Sequence, residues 1–101
     1  MVSSGSRASD SILQRREVHY SGHVQGVGFR DTVRRLAQGY PVTGFVRNLD
    51  DGGVQLIAEG STRDLTEFLE SIASRMERFI RHAAVDSRAA TGEFNDFTIR
   101  H

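Results

Sequence analysis

The run Gln25-Gly26-Val27-Gly28-Phe29-Arg30 is the first combination of residues in this sequence able to do chemistry. Two glycines one residue apart let successive backbone N–H groups turn to the same side, and the start of a helix just beyond adds its partial positive charge. Together these features make a concave anion site. The run is not a dinucleotide fingerprint, because no third glycine follows at the required spacing, and it is not a Walker loop, because no Gly-Lys-Ser/Thr ends it. A plain tight turn would use the same glycines. Arg30 tilts the balance toward an oxyanion. A cation in the first turn of a helix opposes the macrodipole at a cost of about 0.3–1 kcal/mol when exposed, and such local conflicts gather at functional sites. A phosphate held between the guanidinium and the loop removes the conflict, and the planar fork can grip two of its oxygens. A solvated surface arginine is the alternative.

Asn48 is the second candidate, at the end of a strand and just before Asp50-Asp51-Gly52-Gly53. Its amide does not titrate usefully and so cannot be a base, but it can orient a water. Judged locally it is an ordinary turn residue; it gains a role only if its strand lies alongside the glycine loop. The histidines at 19, 23, 82 and 101 show no ligand spacing with one another or with carboxylates, so neither a metal nor a cofactor is expected. His23 alone lies near the loop, where it could add positive charge or be phosphorylated; a surface or strand-edge histidine is its ordinary role.

These residues need elements to carry them. Val18 and Tyr20 alternate with polar neighbours as in a half-buried strand, with order expected from about Glu17. Phe29, Val33, Leu36, Ala37 and Tyr40 fall on one helical face, which Gly39 and Pro41 terminate. Val42 to Leu49 returns to strand, and Asp50 to Gly53 is a hairpin turn leading to Val54, Leu56 and Ala58. Ser61-Thr62-Arg63-Asp64 resembles a capping box ahead of a second apolar stripe, Leu65, Phe68, Leu69, Ile72 and Met76. Two short strands, roughly 83–88 and 96–100, complete the chain. The order strand, helix, strand, strand, helix, strand, with a short additional strand near the end, implies an α+β, ferredoxin-like βαββαβ sandwich: an antiparallel sheet with two helices on one face. Residues 1–14 have little apolar surface and are expected to form a flexible tail, leaving 15–101 as one domain.

Composition narrows the chemistry further. All 13 cations are arginine, so Schiff-base and Walker-type lysines are ruled out. The absence of cysteine rules out thiol nucleophiles, disulfides and thiolate metal sites. The 13 positive and 13 negative side chains balance, which gives no pull toward nucleic acid or an anionic membrane. No apolar run approaches a membrane span, and the first dozen residues lack the apolar stretch of a signal peptide. A cytoplasmic monomer is the expectation.

Gly22-His23-Val24-Gln25-Gly26-Val27-Gly28-Phe29-Arg30 resembles the first signature of the acylphosphatase family, and Gly44-Phe45-Val46-Arg47-Asn48-Leu49-Asp50-Asp51-Gly52-Gly53-Val54 its second. The resemblance runs from about Glu17 to the closing Phe97-Thr98-Ile99-Arg100. It implies hydrolysis of acyl phosphates without metal, with Arg30 as the phosphate-binding arginine and Asn48 as the water-orienting asparagine. Gln25, Gly26, Val27, Gly28 and Phe29 would form the cradle of backbone donors, where inorganic phosphate or sulfate should also bind. One departure stands out: the family's Gly-Pro-type turn after the second helix is replaced by Glu77-Arg78-Phe79-Ile80-Arg81.

Two rivals remain. Ferredoxin-like sheets bind RNA through exposed aromatics on central strands, but Val54 to Glu59 carries none. A domain of this kind also opens hydrogenase-maturation carbamoyltransferases; the chain carries none of the zinc-finger cysteines expected next, which favours a free-standing enzyme.

Overall fold

A computed structural model describes residues 12–101. The chain order is β1 (Leu13–Gly22), α1 (Phe29–Ala37), β2 (Thr43–Asn48), β3 (Val54–Ser61), α2 (Thr62–Arg75), β4 (Ile80–Ala89) and β5 (Phe97–Arg100). Most of the segment expected as a tail lies outside the described residues. Its last members, Leu13 and Gln14, already belong to β1 and pair with Ser61 and Gly60, so order begins earlier than the hydrophobic alternation implies.

The sheet runs β4-β1-β3-β2-β5. Both helices press on one face, as the sequence leads one to expect. Val18, Leu56 and Val46 form one cross-strand row, all buried, and meet Phe29 and Val33 of α1 and Leu65, Phe68 and Ile72 of α2. Each such side chain contributes about 1.5–3 kcal/mol when fully buried. The second helix starts as its sequence suggests: Ser61 Oγ accepts from the Asp64 N–H at 3.1 Å and donates to Asp64 Oδ2 at 2.8 Å. Aspartate is one methylene shorter than glutamate, and its carboxylate meets the cap hydroxyl.

The four strands of the βαββαβ core pair antiparallel as expected, and the short additional strand β5 joins β2 in parallel, Gly44 opposite Phe97 through Arg47 opposite Arg100. The reason is steric and topological. β4 fills the far edge beside β1, so the chain crosses the open face and enters beside β2 running the same way. This crossing is pinned by Glu59, 4% exposed, which accepts from the Thr91 and Gly92 N–H groups at 2.9 Å each and from Arg15 Nε at 2.8 Å. Phe45, on the same open face, is covered by Arg100, whose guanidinium carbon lies 3.8 Å from the ring centroid. That cover removes it as a platform for nucleic-acid bases.

The unusual exit from α2 has its own anchorage. Phe79 N–H bonds to the Met76 carbonyl, and the Phe79 carbonyl accepts from the His23 N–H at 2.9 Å. The segment standing in place of a Gly-Pro turn is thereby fastened to the entrance of the glycine loop. Among the described residues no helix is long and apolar enough to cross a membrane.

Candidate active site

The glycine loop links β1 to α1 and takes its shape from backbone torsion. Gly26 and Gly28 have φ of 77° and 78°, a left-handed conformation that costs other residues about 1–2 kcal/mol each. Open space lies over both positions, with nothing within 4 Å of a Cβ built there; glycine is required for conformation, not for room. Gly28 caps α1 without any side-chain bond. From Val24 through Asp31, no backbone N–H finds an acceptor among the described residues. Unpaired donors gathered at a helix start are a kind of arrangement that can bind an anion.

Gly26, Gly28, Phe29 and Arg30 line a cavity of about 250 Å³, and Asn48 lines it too. Alternation along β2 explains the last point. Val46 is buried on the helix-facing side, and Asn48, two residues later, leaves the sheet on that same side. Its strand is not a neighbour of β1, since β3 lies between them. The loop spans the gap through Gln25, whose Nε2 donates to the carbonyls of Leu49 and Gly53 at 2.8 Å each. The hairpin that receives it is itself braced. Asp51 accepts from the Gly53 N–H at 2.7 Å and from His19 Nε2 at 3.0 Å, and these two bonds hold its carboxyl below the usual range.

Not every candidate contributes a side chain to the cavity. Gln25 acts as the strut just described, and Val27 packs against the core. His23 is exposed and lies in a separate shallow hollow with Gly22, Arg78, Phe79, Ile80 and Arg81, away from Arg30 and Asn48. Conversely, Val24, Asp31, Ile99 and His101 line the cavity, although the sequence does not single them out as site residues. Val24 and Ile99 are apolar walls. Asp31 follows Arg30 in the helix and sets a carboxylate at the rim. His101 lies two residues past Ile99, so the alternation that turns Ile99 inward carries His101 to the cavity; seeing this requires the β5 pairing.

The guanidinium of Arg30 is half-buried and anchored at one end only. Nη1 donates to the Arg100 carbonyl at 3.4 Å and to His101 Nδ1 at 3.3 Å, while Nε and Nη2 have no partner among the described residues. A guanidinium whose Nε and Nη2 carry no partner, in the cavity lined by the loop glycines, can take two oxygens of one tetrahedral anion.

Comparison with known proteins identifies relatives of this chain. The acylphosphatase family profile matches residues 16–99. An acylphosphatase of Methanospirillum hungatei is 40% identical over 90 residues, covering 87% of this chain and 98% of that protein. The crystal structure of acylphosphatase from Bacillus subtilis superposes with a TM-score of 0.77 at 30% identity, covering 89% of this chain and all of that one. Full-length HypF, solved in a phosphate- and nucleotide-bound form, matches with a TM-score of 0.74 at 27% identity, over 90% of this chain but 12% of its own length.

Proposed function

Because the chain belongs to the acylphosphatase family and is a hydrolase of that class, we propose that Arg30 binds the phosphoryl group of a small acyl phosphate and Asn48 orients the water that attacks it. The backbone amides from Gln25 to Phe29 complete the phosphate cradle. The observation that carries this reading is that Arg30 and Asn48 line one cavity together with both loop glycines.

The chemistry suits so sparse a site. Water attacks phosphorus, the bond from phosphorus to the acyl oxygen breaks, and the electron pair leaves on a carboxylate. That leaving group is stable at neutral pH and needs no general acid. The water's proton passes to solvent or to a phosphate oxygen. What remains is positioning and stabilisation of charge on oxygen. Aligned N–H donors and one guanidinium supply the stabilisation, and one amide supplies the positioning. The Nε–Nη2 edge would face the phosphoryl oxygens while Nη1 stays anchored. The acyl group would point out through the mouth, so the site grips the phosphate and leaves the acyl portion loosely defined. The same reading makes 13–101 the catalytic unit of a cytoplasmic monomer that acts without metal and is inhibited by inorganic phosphate or sulfate.

Hydrolysis of benzoyl phosphate, with a phosphate monoester as control, tests the proposal. Arg30→Ala should cost at least about a hundredfold in kcat/KM. Arg30→Lys should not restore it, because a point charge cannot reproduce a two-point grip. Asn48→Ala should lower kcat by about a hundredfold with the fold intact. Near-normal activity in either alanine variant removes that residue from the mechanism, and comparable cleavage of the monoester would contradict the proposed chemistry.

A further inference from the structure

We infer that His101 is a positioning residue for this reaction: its Nδ1 accepts a hydrogen bond from Arg30 Nη1 and so fixes which edge of the guanidinium meets the phosphate. The inference rests on the assignment of Arg30 as the phosphate ligand. Three observations carry it. His101 lines the same cavity as Arg30 and Asn48. Its Nδ1 lies 3.3 Å from Arg30 Nη1, and since a guanidinium only donates, Nδ1 is the accepting atom of this bond. The Arg100 carbonyl, 3.4 Å from the same nitrogen, provides a second acceptor from the same strand end. Two acceptors on Nη1 leave Nε and Nη2 as the edge available to a tetrahedral anion.

Arginine is a long side chain with several rotamers, and here it stands half-buried at the mouth of an open cavity. Ordering such a side chain only when the anion arrives costs binding strength; ordering it beforehand avoids that loss. The phosphoryl oxygens already carry their charge in the substrate, so a pre-oriented arginine favours substrate and transition state alike. Losing the anchor should therefore appear mainly in KM. Asp31 lines the same cavity but forms no ion pair with Arg30 among the described residues. Arg100 is held over the Phe45 ring and cannot replace Arg30.

The test compares His101→Ala and His101→Asn at pH 8, where imidazole side chains as a class are neutral. The probes are KM and kcat for benzoyl phosphate and the inhibition constant of sulfate, a dianion of fixed charge. His101→Ala should raise KM and the sulfate constant together by about two- to tenfold, with the smaller part of any loss in kcat. His101→Asn, whose amide oxygen occupies the position of Nδ1, should return both values toward wild type. In the Arg30→Ala background, His101→Ala should have no further effect. Unchanged KM in His101→Ala, or an Asn variant no better than Ala, overturns the inference. The underlying assignment has its own readout: if Arg30→Ala binds sulfate as wild type does, the site reading fails, whereas loss of binding there with an innocent His101→Ala defeats only the positioning role.

Discussion

The side-chain amide of Gln25 donates to the Leu49 carbonyl at 2.8 Å, and the same nitrogen reaches the Gly53 carbonyl at 2.8 Å. Loop and hairpin are thus a single unit, although β3 separates the strands from which they spring. Gln25→Ala removes two hydrogen bonds worth about 1–3 kcal/mol in all and lets Asn48 drift relative to the loop. We expect a folded protein whose kcat for benzoyl phosphate falls about tenfold or more, since small misplacements are costly in rate. Gln25→Glu should be worse, as a carboxylate faces two carbonyl oxygens. Unaltered kcat in Gln25→Ala would mean that the strut has no part in placing the asparagine.

Asp31 adds a negative charge to the lining of the proposed phosphate cavity. It also stands in the first turn of α1, where it favours the helix by about 0.3–1 kcal/mol. Asp31→Asn should therefore cost a little stability and tighten sulfate inhibition about two- to fivefold at low ionic strength. At 1 M salt, where the screening length is about 3 Å, the gain should vanish. Titrating inhibition at both salt concentrations checks the sign and the screening together.

Glu59 links stability to pH. Burial alone would raise its pKa, but the Thr91 and Gly92 amides, Arg15 and the Thr91 hydroxyl outweigh that and hold it below the usual range. A depressed folded-state value means the stabilisation is fully present above the unfolded-state pKa, about 4.3 for glutamate, and is lost as pH falls through the folded value. Thermal melts between pH 7 and pH 3 should show the loss beginning below about pH 4.3. Glu59→Gln should be less stable by about 1.5–3 kcal/mol at pH 7 and show a shallower acid slope. An identical acid slope in the variant would assign the pH dependence elsewhere.

Gly28→Ala separates conformation from room. With open space over the position and φ at 78°, the methyl group fits, and the cost is torsional, about 1–2 kcal/mol. Relief of that torsion turns the amides at the start of α1. Sulfate inhibition should weaken measurably even where the variant melts close to wild type; binding as tight as wild type would show that the loop keeps its shape without glycine there.

Much of this arrangement is legible in the residues themselves. Phe29, Val33 and Ala37 mark the buried face of α1, and Leu65, Phe68 and Ile72 that of α2, because helical spacing against one core leaves a periodic trace. The loop and Arg30 stand out because a cation at a helix start contradicts local electrostatics. β4 was harder to bound. It runs over Ile80–Ala89 while only its middle reads as strand, since it lies at an edge beyond the helices and is exposed along nearly its whole length. Hydrogen bonding to β1 holds it, and backbone pairing leaves no pattern of side-chain types. The start of β1 leaves no such pattern for the same reason. His101 was invisible as a site residue because its place depends on the direction of β5, which four residues cannot announce.

The parallel seat of β5 has a temporal consequence. Arg30 and His101 are separated by 71 positions, and the contact between them forms only when the final strand docks beside β2. Contacts spanning most of a chain close late in folding, because the loop they seal must first be ordered. On the proposed assignment of Arg30, catalytic competence is thereby tied to completion of the architecture: a chain that has collapsed, paired its hairpin and wound both helices still holds an arginine with nothing to steady it.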